Sequence, residues 1–72
     1  MLNMNEKRIL EILRKSHLIT KGELMSILEK ESMNGTEGLL GNLKSRGFID
    51  HVHNLGNCLV ITKQGMRALK GE

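Results

Sequence analysis

The segment from Leu39 to Gly65 most constrains how this chain can fold, because it carries several structural signals in a fixed order. A leucine-rich pattern at helical spacing leads to Gly47, a residue type at which helices commonly end. Two apolar runs, 48–53 and 58–62, flank a connection that contains Asn and Gly, which is typical of a β-hairpin. The threonine that ends the second run is suited to cap a helix. The segment therefore predicts a helix, a hairpin and a further helix.

Two more helices are predicted before this segment, each with its own start signal. Asn5 is the expected N-cap of the first helix, with Met4 and Ile9 as its hydrophobic staple. Thr20 and Glu23 have the spacing of a capping box, which predicts that the second helix begins directly after Thr20. The residues just before Thr20 are expected to form a very short strand.

The third helix is unusual because glycines occupy its interior. Asn34 and Glu37 have the spacing of another capping box at its start. Gly38 and Gly41 follow, and each costs about 1 kcal/mol relative to alanine within a helix. Three explanations remain open: close approach of the helix to DNA, close contact with a partner protein, or a helix that begins later, near Gly38.

These signals combine into one domain over residues 1–72, mainly α with a β-hairpin, an α+β arrangement. The expected elements are helices at about 5–16, 21–30, 35–46 and 63–70, with the hairpin at about 48–62 between the last two helices. A minimal strand precedes the second helix.

In this order the chain resembles the winged helix-turn-helix transcriptional regulators of the general MarR, ArsR and PadR type. The resemblance rests on Ile19-Thr20 before the second helix, on Leu39-Leu40-x-x-Leu43 followed by Gly47-Phe48-Ile49, and on Leu59-x-Ile61-Thr62-Lys63-x-Gly65. It implies that the third helix lies in the major groove of duplex DNA and that the hairpin, as the wing, touches the backbone or the minor groove. It also implies a role in transcription regulation.

The charge balance permits nucleic-acid binding but does not require it. Eleven Lys and Arg residues against eight Asp and Glu give a formal net charge of +3, a weak attraction for phosphates. The centre of the third helix has few of the Arg, Lys, Asn and Gln side chains that read base edges. The expected DNA contacts lie on the second and third helices and the wing: Lys21, Asn34, Thr36, Glu37, Gly38, Gly41, Asn42, Lys44, Ser45, Arg46, His51, His53, Asn54 and Asn57.

Other classes of function find less support in the sequence. No catalytic motif is present, so we expect no enzyme activity and no cofactor. His17, His51, His53 and Cys58 lack the spacing of a structural zinc site, so no metal is expected. A lone cysteine and the lack of a membrane-spanning segment favour the cytoplasm. A protein-interaction module, or a subunit of a nucleic-acid-processing complex, is the alternative function. A homodimer through the first and last helices and a monomer are both compatible with the sequence.

Overall fold

The computed structural model describes residues 2–53 and 56–71, and within these ranges it contains four helices and three strands. The helices are α1 (Met4–Ser16), α2 (Lys21–Lys30), α3 (Thr36–Ser45) and α4 (Lys63–Leu69). The strands are β1 (Ile19–Thr20), β2 (Ile49–Val52) and β3 (Cys58–Ile61). Their order is the one that the sequence predicts. None of the helices in the described part of the chain combines the length and the apolar character that crossing a membrane needs.

The three strands form one antiparallel sheet in the order β1-β3-β2. In the β2–β3 hairpin, called the wing below, His51 lies opposite Leu59. On the other edge of β3, Ile19 of β1 also pairs with Leu59. The backbone N–H of Lys21 donates to the carbonyl of Asn57 at 2.8 Å. The wing is therefore tied directly to the first residue of α2.

The core lies where α1 packs against α3, α4 and β3. Side chains from α1, α2, α3 and all three strands contribute to it, and burial of each contributes about 1.5–3 kcal/mol before the loss of side-chain entropy. The buried core residues are Ile9, Leu10, Ile12, Leu13, Ile19, Leu24, Leu28, Leu40, Leu43, Ile49 and Leu59.

Two of the predicted helix caps are confirmed. The Thr20 hydroxyl accepts from the N–H of Glu23, and the Glu23 carboxylate accepts from the N–H of Thr20, so α2 begins with a complete capping box. The Thr62 hydroxyl accepts from the N–H of Gly65 at the start of α4. The same hydroxyl donates to the carbonyl of Gly47 at 2.6 Å. Thr62 thus joins the beginning of α4 to the end of α3.

The predicted N-cap of α1 is wrong by two residues. Asn3, and not Asn5, is the N-cap, and its side chain accepts from the N–H of Glu6. The reason lies in the third residue of the helix. With Asn3 as the cap, this residue is Glu6, whose carboxylate accepts from the N–H of Asn3 in return. With Asn5 as the cap, it would be Arg8, whose side chain has no acceptor. The expected staple between Met4 and Ile9 is also wrong, since Met4 is 87% exposed.

The predicted start of α3 needs a similar correction. Gly35 is the N-cap, in the left-handed conformation with φ of 68°, and no side chain caps this helix. Glycine adopts that conformation at little cost, so the backbone sets the entry into α3 without a capping box between Asn34 and Glu37. Because α3 begins at Thr36, the suggestion of a later start near Gly38 is also wrong.

Candidate nucleic-acid interface

A short turn presents α3 on the surface. Residues 31–35 connect α2 to α3, and two of them, Ser32 and Gly35, have positive φ angles of 59° and 68°. The N–H of Met33 donates to the carbonyl of Leu28, which fixes the turn against the end of α2. This is the short helix–helix connection that a helix-turn-helix requires.

The leucines of α3 face inward and leave a line of small residues outside. Leu40 and Leu43 are buried, whereas Gly38, Gly41 and Ser45 are exposed. We call these three exposed residues the outer face of α3. A Cβ atom built on either glycine would have no neighbour within 4 Å. Packing within the described chain therefore does not require glycine at these two positions.

Beside the outer face, α2, α3 and the wing enclose a cleft of about 140 Å³. Its floor is apolar and its rim carries charged or titratable side chains from three different elements. The rim consists of Lys21, Glu37, Lys44 and His51, and the floor of Leu40, Gly41, Ile49 and Leu59. The cleft thus brings together five of the expected DNA-contact residues: Lys21, Glu37, Gly41, Lys44 and His51.

One rim contact is an ion pair between α2 and α3. Lys21 Nζ lies 3.0 Å from Glu37 Oε1, and the two side chains are 34% and 70% exposed. An ion pair this exposed contributes little to stability, about 0–1 kcal/mol. Lys21 can therefore exchange Glu37 for a phosphate at small cost, close to the helix N-terminus, where anions are favoured.

The other rim contact joins α3 to the wing. Lys44 Nζ lies 2.9 Å from His51 Nδ1. The ring of His51 stacks on that of His53, with 5.4 Å between the ring centroids. Burial lowers the pKa of His51 from its ordinary value, and the charges of Lys44, His53 and Lys21 lower it further, while Asp50 acts in the opposite direction. His51 is thus kept neutral more readily than an ordinary histidine.

Two of the expected DNA contacts are hydrogen-bonded to a buried carboxylate. Glu6 is 3% exposed, and its Oε2 accepts from Asn42 Nδ2 at 3.0 Å and from Arg46 at 3.3 Å. Arg46 also lies over the Phe48 ring, 4.8 Å from its centroid. We call Glu6, Asn42 and Arg46 the Glu6 cluster. The Glu6 cluster fixes the end of α3 against α1, so the side chains of Asn42 and Arg46 have a structural role.

Sequence reasoning did not find Glu6 as a partner of α3. The spacing of Asn3 and Glu6 is itself a capping signal, and it could have identified the true helix start. The contacts to α3 left no such signal, because Asn42 and Arg46 are 36 and 40 residues away.

The remaining expected contacts surround α3 and the wing. Asn34 is exposed just before α3, and Thr36 is half-buried at its first position. His53 and Asn57 are exposed at the ends of the wing strands, and Asn54 lies outside the described residues. Over the described ranges, no group of three or more His, Cys, Asp or Glu side chains is arranged to hold a metal ion.

The fold that these elements build is the winged helix-turn-helix. A crystal structure of the oxidised form of MarR from E. coli matches this chain with a TM-score of 0.80 and 20% sequence identity. The match covers 97% of this chain and 52% of the MarR chain, so the chain spans about half the length of that protein. At this identity the likeness concerns the fold, and it confirms the winged-helix prediction. No protein-family model and no curated protein matches the sequence.

Proposed function

We propose that this chain is a cytoplasmic transcriptional regulator that binds double-stranded DNA, with α3 in the major groove and the wing against the backbone. One observation carries the proposal: the outer face of α3 is open, and Lys21 and Lys44 lie together beside it on the rim of the cleft. The structural likeness to MarR supports the same role for α3. Two lysines from different helices beside one exposed helix face suit the phosphates along one edge of a duplex groove.

The composition of the outer face suggests how the duplex would be read. The glycines allow the backbone of α3 to come close to the bases, but they supply no hydrogen-bonding side chain. Asn42 and Arg46, which could read adenine and guanine, are bonded to Glu6. Affinity would then come mainly from phosphate contacts, and specificity from Asn34, Ser45, the wing and the shape of the DNA.

The test is a titration of duplex DNA across a series of salt concentrations. Binding through phosphates predicts that the logarithm of the association constant falls linearly with the logarithm of salt, with a slope of about −0.9 for each phosphate neutralised. Single-stranded DNA of the same sequence is the matched control and should bind more weakly, because the groove is absent. No binding at low salt, or an affinity independent of salt, would overturn the proposal.

A second candidate function is a protein-interaction module. The same open glycines favour it, because close contact with a helix of a partner or of a second copy also needs small residues. In this case a bulky residue at Gly38 abolishes association, measured as solution mass by sedimentation equilibrium, and leaves any DNA binding unchanged. Loss of DNA binding with no change in solution mass would count against this candidate.

A further inference from the structure

The contact between Lys44 and His51 constrains the protonation state of the imidazole. An ammonium group can only donate hydrogen bonds, so at 2.9 Å the Nδ1 of His51 must accept. The ring is then neutral and carries its proton on Nε2. This contact joins the last turn of α3 to the middle of β2, and it lasts only while His51 stays unprotonated.

The charged groups around His51 come from every element that packs on it. Lys44 and Glu37 face it from α3, and Lys21 faces it from α2, where it is paired with Glu37. On its own strand Asp50 precedes it, and its side chain accepts from the backbone N–H of His51. His53 stacks on its ring. The partner opposite on β3 is Leu59, which brings no charge.

We propose that His51 is a positioning residue for Lys44 in the DNA interface. Neutral His51 accepts a hydrogen bond from the Lys44 ammonium and holds it against the wing. Protonated His51 can no longer accept this hydrogen bond, so Lys44 is released toward the phosphates. The protonated ring also adds its own positive charge beside Lys44. This inference rests on the proposed DNA binding. It predicts that the affinity for duplex DNA increases as the pH falls.

The direction follows from proton linkage. Burial and the neighbouring cations disfavour protonated His51 in the free protein, whereas DNA phosphates near the cleft favour it, so binding takes up a proton. The association constant then rises as pH falls through the pKa of His51 in the complex, and it levels off below the pKa in the free protein, which is lowered from its ordinary value. The rise is at most about tenfold for each unit by which DNA raises the pKa of His51. Well above the pKa in the complex, His51 is neutral both with and without DNA, and it then contributes nothing to the pH dependence of the affinity.

The test is a duplex titration at constant salt, at about pH 7.5 and about pH 5.5, on either side of the ordinary histidine pKa. The wild-type protein should bind more tightly at the lower pH, by up to about tenfold if DNA raises the pKa of His51 by one unit. His51→Gln keeps an acceptor for Lys44 but cannot take up a proton, so its affinity should lose this pH dependence. His17→Gln, which replaces an exposed histidine outside the expected DNA contacts, is the matched control and should retain the pH dependence.

Lys44→Met separates positioning from a simple gain of charge. At the lower pH, removal of Lys44 should reduce the salt slope by about 1, since the released ammonium contacts a phosphate; at the higher pH it should change the slope much less. NMR titration of the DNA-free protein should show a higher pKa for His51 in Lys44→Met than in the wild type.

Each opposite result has a defined meaning. Three results would overturn the positioning role alone. They are full pH dependence in His51→Gln, an equal effect of Lys44→Met on the salt slope at both pH values, and an unchanged pKa of His51 in Lys44→Met. Absence of duplex binding at both pH values overturns the proposed function and this role together. Circular dichroism at both pH values verifies that each variant is folded.

Discussion

Replacement of Gly41 by glutamate should weaken duplex binding by about a hundredfold or more at low salt. Gly41 lies at the centre of the outer face of α3, and nothing in the described chain surrounds the space where a side chain would stand. A carboxylate placed there would meet the phosphates and the base edges at the closest point of contact. Like charges brought together in an interface cost several kcal/mol, and each 1.4 kcal/mol is tenfold in affinity.

Loss of folding does not explain such an effect. Glutamate is a better helix former than glycine by about 0.5–1 kcal/mol, so thermal unfolding of Gly41→Glu should occur at the same or a higher temperature. Asn5→Glu is the matched control, because it adds the same charge at an exposed position on α1. Near-equal affinities of the two variants for duplex DNA would show that the outer face of α3 does not meet DNA.

Gly65→Ala should be the most destabilising glycine-to-alanine change in the described chain. A methyl group at Gly65 would overlap the carbonyl oxygen of Phe48 and the side chain of Ile61. The first of these is backbone and cannot move without displacing α4 from the start of β2. Overpacking of this kind costs about 1–3 kcal/mol, and a domain of this size loses roughly 4–8 °C in melting temperature for each kcal/mol.

Replacement of Gly38 by alanine should instead increase the free energy of unfolding. Gly38 lies within a helix, with open space around its Cβ position, so alanine should stabilise the fold by up to about 1 kcal/mol. Urea denaturation of the two variants beside the wild type measures both effects. If Gly65→Ala were as stable as Gly38→Ala, the close approach of α4 to Phe48 would be wrong.

The fold could be predicted from the sequence because its boundaries are set by local signals. Thr20 with Glu23, and Thr62 with the N–H of Gly65, are contacts between residues three positions apart. Gly47, with φ of 78°, ends α3 in the conformation that glycine adopts most easily. The prediction failed at the caps of two helices. At α1, both Asn3 and Asn5 are suitable cap residues, and Asn3 is the one that caps the helix. At α3, no side chain caps the helix.

The charged part of the site could not be predicted in the same way, because its contacts are distant in sequence. A helical projection turns Asn42 outward, and it is indeed an exposed residue, but nothing local shows that its amide donates to Glu6 of α1. Glu37 was expected to act in its own helix cap and instead pairs with Lys21, 16 residues earlier. Such pairs depend on how the helices pack, which periodicity does not determine.

The most direct test of the central claim is to map the DNA contact by proton–nitrogen correlation NMR on the labelled protein, titrated with duplex DNA at low salt. We expect the largest shift changes at the amides of Gly38, Gly41 and Ser45, with further changes at Lys21 and on the wing. The amides of α4 should change little. Shift changes concentrated on α1 and α4, with the outer face of α3 unaffected, would contradict the account.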